Sequence, residues 1–182
     1  MKRALVVIDV QNEYFHGALP ITGRDDSLGK ICRAMDAAAG AGIPRIVVQH
    51  TMPSPDLPIF QRDTPAWALH PEIAARGGEH KVEKNLPGSF TNTDLEAWLR
   101  KQGVETVVVS GYMTHMCCDT TAREAVHRGF KVEFLSDATG TLPLDNAAGK
   151  VSAEELQRSI LCAQQHLLSE VISTADWFKR IG

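Results

Sequence analysis

The chain has 182 residues, of which 43% are hydrophobic and 23% charged, and its net charge is -3. This ordinary balance gives no basis for nucleic-acid or acidic-membrane binding, and the length suits a single domain, residues 1–182. The first apolar stretch is broken at once by Asp9, so we expect neither a signal peptide nor a spanning helix, and a cytoplasmic protein.

Strands and helices alternate along the sequence. The apolar run at residues 4–8 is typical of a strand that is buried on both faces. Periodicity predicts further strands at 45–50, 80–83, 106–110, 131–135 and 170–172, and helices at 27–41, 91–102, 114–128 and 152–169, before a closing segment at 174–180. This order predicts a three-layer, Rossmann-like α/β sandwich with a mostly parallel sheet of about six strands and helices on both faces.

Two stretches lack a clear period. Residues 51–78 are rich in proline, and a loop of that length in a compact domain is more often functional than idle. Residues 136–151 contain Gly and Pro and are predicted to form a mobile loop.

Ligands of such folds bind beyond the carboxyl ends of the strands. The chemically capable residues at or just after predicted strand ends are Asp9, His50, Lys84, Cys117 and Asp137. Each has a structural alternative: Asp9 could cap the next turn through backbone amides, and Lys84 could be a solvated surface group. His50 and Asp137 could serve as a hydrogen-bonded structural residue and a turn former.

Cys117 lies where a predicted strand passes into a predicted helix. The positive end of a helix dipole favours thiolate, so this position suits a nucleophile better than a packed core thiol. A lysine such as Lys84 beside it would lower the thiol pKa further. Cys32 and Cys162 fall on helical stretches and are predicted to be core or interface residues, and the four cysteines show no zinc or Cys-x-x-Cys spacing.

Three separated segments carry a family resemblance. They are LVVIDVQNEYF at residues 5–15, KNLPGSF at 84–90 and SGYMTHMCCDTTAREA at 110–125. In this order and spacing the chain resembles a cysteine hydrolase of the isochorismatase-like superfamily. The resemblance implies a catalytic triad of Asp9, Lys84 and Cys117 with Cys118 as a packing residue.

The resemblance also implies a mechanism. It places a non-proline cis peptide between Tyr112 and Met113 and an oxyanion hole at the backbone amides of Met113 and Cys117. The expected reaction is hydrolysis of a small amide, carbamoyl or ureide substrate through a thioester. Family members that cleave isochorismate lack the nucleophilic cysteine, which Cys117 supplies here.

Further expectations concern the pocket, cofactors and assembly. Nicotinamidases of the superfamily carry an Asp-x-His metal motif after strand two, which is absent here, so we expect no metal, no cofactor and not nicotinamide. Pocket residues are expected at Gln11, Phe15, Trp67 and Tyr112. Members usually form homo-oligomers, and the predicted interface aromatics are Trp67, Trp177 and Phe178.

Three alternatives stay open. The chain could be a catalytically inactive α/β module that binds a metabolite, in which case the triad residues would be inherited scaffold. It could be a thiol redox protein that uses Cys117 and Cys118, although such pairs normally have Cys-x-x-Cys spacing. Within the family it could be a nicotinamidase.

Overall fold

The computed structural model describes residues 2–182. Its strands are β1 (Arg3–Ile8), β2 (Arg45–His50), β3 (His80–Lys84), β4 (Thr106–Tyr112), β5 (Lys131–Gly140), β6 (Leu144–Asn146), β7 (Gly149–Val151) and β8 (Glu170–Ile172). Its helices are α1 (Arg24–Gly40), α2 (Pro71–Arg76), α3 (Leu95–Lys101), α4 (Asp119–His127), α5 (Ala153–Leu167) and α6 (Thr174–Ile181).

Six strands form one parallel sheet in the order β3-β2-β1-β4-β5-β8. Strands β6 and β7 make a separate antiparallel hairpin. The predicted six-stranded α/β fold is therefore confirmed. The strand order reverses between β1 and β4, and in open α/β sheets the crevice beyond the carboxyl ends at such a point is the usual ligand site.

Alternating residues of the central strands feed two hydrophobic cores. Val6 and Ile8 of β1 face one core, which includes Leu99 of α3 and Ala122 of α4. Leu5 and Val7 face the other, which α1 and α6 cover. Because both faces of the sheet are buried, β1 and β4 can be apolar throughout, as their sequences show.

Several boundaries differ from the sequence prediction. The stretch 51–78 contains α2, which begins at Pro71 with the side chain of His70 accepting from the Glu72 amide. Proline at the first helical position was a signal for this helix. The predicted helix 91–102 starts only at Leu95, and the predicted helix 114–128 opens with a π-helical turn, Thr114–Cys118.

The predicted mobile loop at residues 136–151 is also wrong in part. Strand β5 continues to Gly140, where it pairs with the end of β4, and the β6–β7 hairpin occupies most of the remainder. The pairing of β4 with β5 is interrupted between Val109 and Gly111 and then resumes in a shifted register. Sequence periodicity does not show pairing that resumes after a bulge.

Two other predicted residues are structural. The Asp137 carboxylate accepts from the backbone amide and hydroxyl of Thr174, which fixes the start of α6. Trp177 was predicted at a subunit interface, but it is fully buried within the chain and donates to Glu133. The interface prediction for Trp177 is therefore wrong. Within residues 2–182 no helix combines the length and apolar character needed to cross a membrane.

Candidate active site

Three side chains from three segments meet at the carboxyl edge of the sheet. Asp9 follows β1, Lys84 ends β3, and Cys117 lies in the π-helical turn after β4. Lys84 Nζ lies 2.7 Å from Asp9 Oδ2 and 3.4 Å from Cys117 Sγ. The Asp9 and Lys84 side chains are completely buried, and Cys117 is 6% exposed. The lysine therefore connects the carboxylate to the sulfur in a site screened from solvent.

Lys84 has two further neighbours. Its ammonium donates to the Leu86 carbonyl at 3.1 Å and lies 3.2 Å from His50 Nδ1. His50 and Lys84 are directly paired in the β2–β3 register, so their side chains leave the sheet on the same face. Burial opposes the positive charge, but Asp9 and then Cys117 outweigh it and raise the pKa of Lys84.

The charge state of Cys117 differs from the sequence expectation. Burial, followed by the negative charge of Asp9, raises the pKa of the Cys117 thiol to about 12, although Lys84 acts in the opposite direction. The expected lowering by Lys84 is thus present but is outweighed. These surroundings favour the protonated thiol over the thiolate in the free protein.

The structural alternatives for Asp9 and Lys84 do not hold. No backbone amide among the described residues donates to the buried carboxylate oxygens of Asp9, so Asp9 does not cap a turn. Its ion-pair partner is Lys84, which is itself buried rather than solvated. Asp9 also has a φ of 52°, an uncommon left-handed conformation that directs the chain away from β1.

The segment before the cysteine has an unusual backbone. The peptide bond between Tyr112 and Met113 is cis, which is where the family resemblance placed it. The Met113 carbonyl accepts from the amides of Met116 and Cys118, each at 3.1 Å. Outside the regular helix and strand hydrogen bonds, no backbone carbonyl of residues 2–182 accepts from the Met113 amide.

The predicted pocket residues separate into two groups. Gln11 is fully buried, its Nε2 donates to the carbonyls of His50 and Trp67, and its Oε1 accepts from the His50 amide. Tyr112 is also fully buried, and its hydroxyl is bonded to Ser27 at 2.8 Å. The polar groups of both side chains are therefore engaged within the chain, and their pocket roles stay predictions.

The two other aromatics differ in exposure. Phe15 is 5% exposed and packs on His70 and Tyr112. Trp67 is partly buried, donates to Thr51 Oγ1 at 2.9 Å, and lies under the Arg62 guanidinium. The pocket roles of Phe15 and Trp67 stay predictions.

Glu13 is a structural residue that the sequence did not indicate. Its carboxylate is 2% exposed and accepts from the backbone amides of Ala18 at 2.6 Å and Phe60 at 3.2 Å. Phe60 in turn contacts His50 edge-on. The contact anchors the Pro-rich segment to the β1 end of the sheet, and no local pattern could have shown it because it joins loops 47 residues apart.

The other polar clusters are not arranged like this one. Among residues 2–182, no three His, Cys, Asp or Glu side chains form a group that could hold a metal ion. His115 is half-buried and bonds through Nδ1 to Thr141 Oγ1 at 2.6 Å. A cavity of about 500 Å³ opens at the opposite edge of the sheet, but it is lined by mutually paired ions such as Arg3 and Glu133. The carboxyl edge is the site that the fold favours.

Fold and site together define an α/β protein with a buried Asp-Lys-Cys cluster beyond the strand ends. Residues 3–175 match the isochorismatase domain, and the chain belongs to this family of hydrolases. A candidate isochorismatase from Burkholderia xenovorans LB400 is 47% identical, with a TM-score of 0.96 over 98% of this chain and 86% of that one. A cysteine hydrolase from Pseudomonas syringae pv. phaseolicola 1448A is 31% identical, with a TM-score of 0.92 over 99% and 92%.

Curated relatives extend the comparison to named activities. The uncharacterized isochorismatase family protein YddQ of Bacillus subtilis is 31% identical over 98% of this chain and 100% of its own. Nicotinamidase 3 of Arabidopsis thaliana is 35% identical over 76% and 73%. Ureidoacrylate amidohydrolase RutB of Methylobacterium radiotolerans is 27% identical over 74% and 66%. Amide-hydrolysing enzymes are thus among the relatives.

Proposed function

We propose that this protein is a cysteine-dependent hydrolase of a small amide, carbamoyl or ureide substrate, with Asp9, Lys84 and Cys117 as its catalytic residues. The observation that supports this best is the position of Lys84 Nζ, 2.7 Å from the carboxylate and 3.4 Å from the sulfur in a buried cluster. A lone structural ion pair would not need a thiol as a third member. The relatives named as amidohydrolase and cysteine hydrolase favour the same reaction class.

In the first half of the reaction, the Cys117 thiol gives its proton to Asp9 as sulfur attacks the substrate carbonyl carbon. A carbon–sulfur bond forms and the carbonyl electron pair moves onto oxygen, where the backbone amides of Met113 and Cys117 stabilise the charge. The carbon–nitrogen bond then breaks. Asp9 returns the proton to the departing nitrogen, which leaves as ammonia or an amine.

In the second half, water hydrolyses the thioester. Asp9 takes a proton from the attacking water, the carbon–sulfur bond breaks, and the sulfur regains a proton from Asp9. Lys84 keeps its positive charge throughout and stabilises the sulfur while it is anionic. No step needs a cofactor.

Nicotinamide is the second candidate substrate, because a nicotinamidase is among the relatives. The lack of an Asp-x-His sequence after β2 argues for the other amides. A redox role for Cys117 and Cys118 is less favoured, because Cys118 is completely buried and all four cysteines are free thiols. A binding module would have no use for the buried thiol.

The test is ammonia release from small amides, carbamoyl compounds, ureides and nicotinamide. Cys117→Ser should abolish release while its unfolding midpoint stays near that of the parent. Cys162→Ser is the matched control, because Cys162 is exposed on α5 and should be dispensable. Equal release from the parent and Cys117→Ser would refute the assignment. No release from any compound would favour the binding-module alternative.

A further inference from the structure

The two ring nitrogens of His50 differ in their contacts, because Nδ1 has a polar neighbour and Nε2 has no hydrogen-bond partner among the described residues. It is the last residue of β2, is 8% exposed, and lies with Nδ1 3.2 Å from Lys84 Nζ. Within residues 2–182 its Nε2 takes part in no hydrogen bond, and Nε2 is not among the fully buried side-chain atoms without a partner. This nitrogen therefore keeps some contact with solvent beside the candidate triad, where a substrate group can take the place of water.

The contact with Lys84 favours one tautomer of His50, although the three N–H donors of the ammonium group are shared among four neighbours. An ammonium group can only donate, so a hydrogen bond to Nδ1 requires the lone pair there. Burial and then the charge of Lys84 lower the pKa of His50, with Asp9 opposing them, so the ring is neutral at neutral pH. A neutral imidazole that accepts at Nδ1 carries its proton at Nε2. His50 therefore presents an N–H donor at the site.

The donor is also held in place. The Gln11 side chain bonds both the amide and the carbonyl of His50, at 2.8 and 3.0 Å. The Phe60 ring meets the imidazole edge-on, with a centroid distance of 5.2 Å and an interplanar angle of 87°. A preorganised donor loses little freedom when a ligand binds, which favours selective recognition.

We propose that the Nε2–H of His50 binds a second acceptor oxygen on the substrate, next to the amide that is cleaved. The protein would then select N-acylureas, in which a second carbonyl oxygen lies beside the cleaved amide, over plain alkyl amides. This inference rests on the proposed function and adds a specificity residue to it. A site built to donate rejects an analogue that lacks the acceptor, because the buried donor is left unpaired.

Two substitutions separate the two nitrogens of His50. In His50→Asn the side-chain oxygen can take the place of Nδ1 and accept from Lys84, but nothing reaches the position of Nε2. In His50→Gln the longer amide can donate near the position of Nε2, but the acceptor for Lys84 is lost. His80→Asn is a matched control, because His80 is at the far end of β3, stacked on Trp98 and bonded to Asp94.

The experiment compares kcat/KM for an N-acylurea and the N-ethylamide of the same acid, chosen from the acids that the ammonia panel identifies. The measured quantity is the ratio of the two values in each variant divided by that ratio in the parent, so differences in leaving-group chemistry cancel. We expect His50→Asn to lower the preference for the acylurea about tenfold, the effect of one lost hydrogen bond. We expect His50→Gln to slow both substrates while keeping the preference, and His80→Asn to change neither.

An unchanged preference in His50→Asn would overturn the role of His50 while leaving the proposed function intact. A failure of the parent to hydrolyse any compound in the panel would instead overturn the proposed function, and this inference with it. If His50→Asn does not fold, His50→Gln still decides the question, since loss of its preference contradicts donation near Nε2.

Discussion

Two ion pairs in this protein have the same length and opposite surroundings. Lys84 to Asp9 and Lys150 to Asp145 each have a nitrogen–oxygen distance of 2.7 Å. The first pair has no exposed side-chain surface, whereas the side chains of the second are 80% and 65% exposed. They therefore isolate the effect of burial on the energy of a salt bridge.

Removal of one buried partner leaves an uncompensated charge. Lys84→Met keeps most of the side-chain volume and should lower the free energy of unfolding by about 3–5 kcal/mol. With a urea m-value of about 2 kcal/mol/M for a domain of this size, the midpoint should fall by about 1.5–2.5 M. Lys150→Met should cost less than about 1 kcal/mol, because an exposed pair is screened by water.

The assay is urea unfolding followed by circular dichroism at pH 7, with the double variant Asp9→Asn/Lys84→Met included. Asparagine is the substitution of choice for Asp9 because it tolerates the positive φ. The double variant should cost less than the sum of the two single variants, because neither charge is left alone. Equal midpoint shifts for Lys84→Met and Lys150→Met, or strict additivity at the buried pair, would refute the reasoning.

Three further predictions follow from particular contacts. Asp9→Asn should speed iodoacetamide labelling of Cys117, because the charge of Asp9 raises the pKa of the thiol, yet abolish hydrolysis; mass spectrometry that finds slower labelling would contradict this. Burial alone would raise the pKa of Glu133, but hydrogen bonds from Arg3, Arg180 and Trp177 hold this pKa below its usual value. The ionised carboxylate therefore stabilises the fold above its unfolded pKa, and this contribution is lost as the pH falls through the folded pKa. The loss of unfolding free energy caused by Glu133→Gln in urea unfolding should accordingly be smaller near pH 3 than at pH 7. Gly111→Ala should destabilise the fold by more than about 3 kcal/mol, because its φ is 109° and an added Cβ would lie 2.1 Å from the Ile8 carbonyl oxygen. Gly149→Ala has a φ of 135° and open space around the added Cβ, so it should cost only the backbone strain of about 1–3 kcal/mol.

Because parallel strands end at one edge, the strand pattern could place Asp9, His50, Lys84, Cys117 and Asp137 together as candidates. The choice of Asp9, Lys84 and Cys117 among them came from the resemblance to the isochorismatase-like superfamily. The contact between His50 and Lys84 depends on the register of β2 against β3, which a single sequence does not specify. The same limit hid the contact between Glu13 and Phe60, which joins two irregular segments.

The burial of the aromatic residues could not be predicted for a different reason. An aromatic residue beside a motif can face either the site or the core, and residue type does not distinguish them. Tyr112 and Trp177 each found an internal hydrogen-bond partner, Ser27 and Glu133, which allowed complete burial. Trp67 lies in the Pro-rich segment, where only the long-range contacts made by the neighbouring loops decide its exposure.

The balance of charges within the buried cluster explains how a thiol with so high a pKa can serve as a nucleophile. Loss of the Cys117 proton to solvent would leave two anions against one cation in a buried site, which is why burial and Asp9 raise the pKa to about 12. Transfer of the same proton to Asp9 costs far less, because the cluster keeps one cation and one anion: the Asp9–Lys84 pair simply becomes a Cys117–Lys84 pair. Lys84 is within 3.4 Å of both anionic positions and need not move. The cluster can therefore keep a net charge of zero, with the thiol protonated, until a substrate carbonyl is present for the sulfur to attack. This is the reason that Asp9→Asn should make the thiol more reactive toward alkylation while preventing turnover.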